Sequence, residues 1–195
     1  EQAIAHGGRG AGCFSGLAAR ANVDAYDGER FVELRMAEAY TPAPPDGAVD
    51  EYRCQVLDPG LTEKAFLTGT QVMPENVAIA HHGIVYAVPP GDAAAVREQD
   101  AKTPGLGWQC FGGTGVAGAE VEDGDAAWVD TWAPGATETL LDQDAGFKLE
   151  PGSLIVFQMH YNLLATDGKP AGSDRSAVRL RRGSMTTTCG IPLTP

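Results

Sequence analysis

The sequence predicts an all-β fold: an antiparallel β-sandwich, jelly-roll-like, with one short helix. Short apolar or alternating runs recur along the chain, Gly- and Pro-rich turns separate them, and one stretch alone has a helical pattern. No internal repeat is visible. Two parts are expected: an irregular Gly/Ala-rich lead-in over residues 1–29, which contains Cys13, and a β-sandwich domain over residues 30–195.

Taken in order, Phe31-Val-Glu-Leu-Arg-Met36 alternates as a strand does, and the Pro-rich Tyr40–Gly47 that follows cannot be helix or central strand. Asp50–Leu57 and Ala65–Met73 read as the next two strands, closed by Asp58-Pro-Gly60 and Pro74-Glu-Asn76. Residues 78–88, Ala-Ile-Ala-His81-His82-Gly-Ile-Val-Tyr-Ala-Val, form an apolar strand with two adjacent histidines near its start, stopped by Pro89-Pro-Gly-Asp92. Residues 92–100 are the helix, with Asp92 as N-cap. The Gly-dense stretch 103–127 needs a staple, which Cys110 can supply. Trp128–Gly135 reads as a strand into a turn, and Phe147–Gly152 as a turn. Leu154–Leu163 is nearly all apolar, so both of its faces are expected to be buried. Ala177–Arg182 is a late alternating strand, and Thr186–Pro195 reads as an exit.

Composition narrows the function. A net charge of −12 lacks the basic face that nucleic acid requires. No apolar run reaches membrane-span length. The four cysteines, Cys13, Cys54, Cys110 and Cys189, are widely spaced and form no C-x-x-C pair, so a zinc ribbon is not indicated. An even, scattered set is read as two disulfides in an oxidising compartment (extracellular, secreted or periplasmic), against the alternative of buried free thiols. There is no G-x-S-x-G nucleophile elbow, and Gly112-Gly-Thr-Gly115 does not lead from a strand into a helix as a phosphate loop does.

Three of the four histidines lie in two apolar strands: His81 and His82 in one, His160 in Gln158-Met-His160-Tyr-Asn162 in the other. If these strands meet, three imidazoles can hold one metal ion with an open further position, a chemistry open to zinc and copper alike. Strand neighbours point to opposite faces, so His81 and His82 can share an ion only if the strand is twisted or bulged there, or if His81 lies just outside it; Gly83 eases such a distortion. The opposing reading has one core histidine and two on the surface. His6, in the lead-in, reads as solvated. Met36, Met73, Met159 and Met185 read as core, with Met159 facing away from His160.

Several segments together resemble the copper type II, ascorbate-dependent monooxygenases, the family of peptidylglycine α-hydroxylating monooxygenase and dopamine β-monooxygenase. They are Phe31–Met36, Asp50-Glu-Tyr-Arg-Cys54, Val77-Ala-Ile-Ala-His81-His82, Trp108-Gln-Cys110, Trp132-Ala-Pro-Gly135 and Phe157-Gln-Met-His160-Tyr161. The likeness is to the N-terminal domain of that family and runs from about Phe31 to Leu180. It implies a jelly-roll-like sandwich, with His81, His82 and His160 as ligands of the family's first copper, which takes electrons from ascorbate. It also implies a Cys54–Cys110 disulfide, which leaves Cys13 and Cys189 to pair with each other.

Two departures stand out. No His-x-His occurs, so the ligands of the second, oxygen-binding copper are missing, and a second catalytic copper domain in the same polypeptide is the expected partner. Where the family often has a cysteine, this chain reads Gly172-Ser-Asp-Arg-Ser176. The expected role is therefore electron transfer within a monooxygenase. The alternatives are a stand-alone copper-binding or copper-handling protein and an interaction module whose histidines are structural.

Overall fold

A computed structural model describes residues 31–45, 47–121, 126–142, 145–166, 171–183 and 190–191. The lead-in with His6 and Cys13, and the later Met185 and Cys189, lie outside them. The elements are β1 (Phe31–Arg35), β2 (Asp50–Leu57), β3 (Ala65–Met73), β4 (Ala80–Val88), α1 (Ala93–Asp100), β5 (Trp108–Gln109), β6 (Ala127–Trp132), β7 (Glu138–Leu140), β8 (Gly146–Leu149), β9 (Leu154–Asn162), β10 (Ala177–Gly183) and β11 (Gly190–Ile191).

They form two sheets. One has the order β1-β10-β3-β8-β11, with β7 also on β3; the other has the order β5-β2-β9-β4-β6. With the short β5, β7 and β11 set aside, the eight remaining strands run 1-10-3-8 and 2-9-4-6, the interleaving of a jelly roll. Pairing is antiparallel except between β11 and β8.

The main core lies between the sheets and takes Leu67, Val72, Val85, Ile155, Phe157, Met159, Tyr161, Val178 and Leu180. A second apolar cluster covers the outer face of the five-stranded sheet. There Cys54, Tyr86, Val88, Leu154 and Val156 pack under α1 and the Trp108–Val116 loop. Strand β9 is central to this sheet and buried on both faces over most of its length, as its nearly continuous apolar run predicts. Met36 and Met159 are core residues, while Met73 is half-buried.

Several details differ from the sequence reading, among them short strands β5 and β11 within stretches read as a loop and an exit. Residues 147–149, expected within a turn, fall in β8, and the turn itself follows at Glu150–Ser153. β7 was not expected either. Both are short and half-polar, and both are held by β3, along Ala65–Leu67 for β8 and Gly69–Gln71 for β7. Their strand character comes from a partner distant in sequence, not from local pattern. Finally, α1 forms as expected, but the Asp92 side chain makes no capping hydrogen bond.

The outer cover depends on Gly107, whose φ is +67°, and a Cβ there would sit 2.1 Å from the Cys54 carbonyl oxygen. Gly107→Ala is therefore expected to cost about 3 kcal/mol, from left-handed strain plus overpacking. The urea midpoint reads this; a shift of less than about 1 kcal/mol would show that the loop absorbs the change.

Candidate metal centre

The β4–β9 ladder brings the histidines together. Its register runs Ala80↔Tyr161, then His82↔His160 and Gly83↔Met159, so His81 is an extra residue on β4. A bulge places two residues of one strand opposite one of the other. Both His81 and His82 can thus face His160, which an undistorted strand forbids. The bulged residue is His81 itself. Gly83 contributes space, not backbone freedom: a Cβ there would meet Phe157 and Val72 at 3.2 Å in the core.

The turn ahead of β4 is pinned from across the sandwich. Asp174, fully buried, accepts hydrogen bonds from the backbone N–H of Asn76 and from the Tyr161 hydroxyl, and Asn76 O accepts from Ile79 N and Ala80 N. Because Tyr161 and Met159 point into the core, His160 between them must point outward. It lies where the outer cover ends. Gln158, two residues earlier, is still covered and donates to Gly113 O, whereas Phe111 at the rim is 76% exposed.

The Nδ1 atoms of His81 and His82 both approach that of His160. His160 Nδ1 is 3.2 Å from His81 Nδ1 and 3.1 Å from His82 Nδ1, and one ligand atom from each lies within 4.8 Å of the others. Nitrogens about 2.0 Å from a tetrahedral ion stand about 3.3 Å apart, so both contacts match a ligand pair. His160 is 8% exposed, His82 half-buried and His81 exposed, which leaves the cluster open to solvent on one side.

A bound cation suits this arrangement better than a neutral hydrogen-bonded trio does. His160 Nε2 lies 2.8 Å from Asp50 Oδ1. An ionised carboxylate only accepts, so Nε2 carries the hydrogen and a neutral His160 presents one bare lone pair at Nδ1. That single lone pair faces two other imidazole nitrogens, and one in-plane lone pair cannot satisfy both. A cation among the three resolves the conflict, and the donor set (three neutral imidazoles with an open side) fits zinc or copper.

The surroundings fix His160 further. The Tyr52 ring stacks on it at 4.2 Å and 9°, and Phe111 meets Tyr52 edge-on at 4.8 Å. The Cys54–Cys110 disulfide forms, with sulfurs 2.05 Å apart, and holds the loop that carries Phe111. Sequence reasoning found all three histidines but not Asp50, Tyr52 or Asn162 as their neighbours. The register Asp50↔Asn162 and Tyr52↔His160 places them there. The one local signal was that Asp50 opens one strand and Asn162 closes another, mostly apolar one.

Burial, followed by the charges of His81 and His160, lowers the His82 pKa. Asp50 is also lowered, first by the Asn162 hydrogen bond and then by that to His160. With a depressed folded pKa at His82, the unfolded chain binds more protons from about pH 6.5 down to that lower value. Stability of the metal-free protein should therefore rise with pH across this window and fall on acidification. Metal uptake should follow the same direction, weakening steeply from about pH 7 to about pH 5 as protons compete for the imidazoles. Titration of metal into the protein at several pH values checks this; a flat profile would exclude imidazole ligands.

No family model matches the chain, and no curated protein matches it. Among the described residues, no helix is long and apolar enough to cross a membrane.

Proposed function

We propose that this chain is the electron-transfer domain of a copper-dependent monooxygenase that hydroxylates C–H bonds with ascorbate and O2, and that His81, His82 and His160 hold one copper ion per chain. The observation that carries this reading is the approach of two imidazole Nδ1 atoms to a third at a β-bulge, with His160 Nδ1 within 3.2 Å of both partners. The resemblance of the flanking segments to the first copper domain of the ascorbate-dependent monooxygenases supports copper rather than zinc.

Copper bound there supplies one-electron exchange between its two oxidation states. The chain's residues contribute the rest. Three neutral nitrogens serve either oxidation state without a change of ligand, which keeps reorganisation small. The stacked Tyr52 ring and the Asp50 contact hold His160 in one orientation. The open side, next to exposed His81, admits a small reductant such as ascorbate. The second, oxygen-binding copper belongs to a further domain expected in the same polypeptide, and the Cys54–Cys110 disulfide fits an oxidising compartment, secreted or periplasmic.

The test is spectroscopic. Protein loaded with one equivalent of Cu(II) should show a resonance signal that ascorbate bleaches and air restores. A signal that persists in excess ascorbate would defeat the electron-transfer role and leave the alternative, a copper-handling protein without oxygenase activity.

A further inference from the structure

Asp50 and Asn162 close a small network behind His160. Asp50 Oδ1 takes the His160 Nε2 hydrogen at 2.8 Å and one from Asn162 Nδ2 at 2.7 Å. The two residues face each other in the β2–β9 register, with Tyr52↔His160 two positions along on the same face, so the sheet itself builds the arrangement. Among the described residues, a carboxylate reaches the outer ring nitrogen of His160 but not that of His81 or His82. The three ligands are therefore unequal: one is held on both nitrogens and stacked, and two are held on one side only.

We propose that Asp50 is a positioning residue that sets the electronic character of the site: by binding His160 Nε2 it makes His160 the strongest of the three donors and biases the centre toward the more highly charged, oxidised ion. This rests on the metal reading given above. An imidazole whose outer N–H is shared with a carboxylate is a more basic ligand through its other nitrogen. The carboxylate charge, one ring's width from the ion, also attracts a doubly charged ion more than a singly charged one. Asp50 is 45% exposed, so water weakens this attraction, while the hydrogen bond through the buried ring persists. Asn162, donating to the same oxygen, keeps the carboxylate aimed. A purely structural clamp between the ends of β2 and β9 would act on both oxidation states alike, and that difference makes the role testable.

The experiment compares wild type, Asp50→Asn, Asp50→Glu and Asn162→Ala as full chains. In metal-free wild type, ring-nitrogen NMR should show His160 as the Nε2–H tautomer. In Asp50→Asn a mixture is expected, because an amide can present either its oxygen or its nitrogen to the ring. Competition titrations then give affinities for Cu(II) and Cu(I). Asp50→Asn should lose about 10–100-fold in Cu(II) affinity and much less for Cu(I). Each tenfold difference raises the reduction potential by about 59 mV. Asp50→Glu should recover most of the shift, and Asn162→Ala should move it the same way but less. Equal losses for both ions, or a potential unmoved in a folded Asp50→Asn protein, would overturn the role of Asp50 while leaving the three-histidine site intact. Wild type that takes up no copper in either state would instead overturn the site, and this proposal with it.

Discussion

His160→Ala is expected to abolish stoichiometric copper binding at micromolar concentrations while leaving the sandwich folded. His160 is the side chain that both other imidazoles approach, and it is the most buried of the three. Loss of a residue that merely supports a ligand costs about 10–100-fold in metal affinity, so loss of this ligand should exceed a hundredfold. The fold should survive because the core lies on the other face of β9, where Phe157, Met159 and Tyr161 point. A graded series is expected, with His82→Ala close behind and the exposed, bulged His81→Ala mildest. Metal analysis of dialysed protein reads the outcome. Full copper retention in His160→Ala would mean that the ion, if there is one, sits elsewhere.

The second large effect is on stability. Removing the Cys54–Cys110 disulfide, as Cys54→Ala with Cys110→Ala, should destabilise the protein by about 4 kcal/mol, or about 10 °C in Tm for a chain of this size. The bridge joins residues 56 positions apart, and it fastens a Gly-rich loop to β2. That loop contains Gly107, Gly112, Gly113, Gly115 and Gly118, whose freedom in the unfolded chain is costly to surrender. Its other anchors include Trp108 Nε1 donating to Thr114 O at 2.8 Å, Gln158 Nε2 donating to Gly113 O at 2.9 Å, Thr114 N donating to Glu120, Cys110 N donating to Tyr52 O, and the burial of Trp108 and Val116. Without the staple, Phe111 should leave Tyr52, and copper affinity should drop far less than in His160→Ala. Thermal unfolding of the double variant measures the first effect; a fall of under about 1 kcal/mol would show that burial, not the crosslink, orders the loop.

The longest strands were the most legible. β2 and β3 end where their closing turns put them, and β9 is buried on both faces as its run from Leu154 demands. β7 and β8 were illegible because residues such as Glu138 and Lys148 carry no strong strand preference and are held by pairing to β3. The same contrast holds at the site. Two neighbouring histidines in one apolar strand and a third in another suggested a shared ion. Whether they met depended on the pairing of β4 with β9, and on which residue would be the odd one out.

From the sequence alone come the all-β class, the alternation that sets Met159 and His160 on opposite faces, and the three histidines as candidates. Period-two side-chain direction is a property of the strand itself and needs no partner. The tertiary structure decided that β4 lies against β9, that the bulge falls at His81, and that Asp50 and Tyr52 stand behind His160. Those are matters of register between segments about eighty and more than a hundred residues apart, as with His81 to His160 and Asp50 to His160. Register is set by the summed packing of both sheets, so no single stretch of chain contains it.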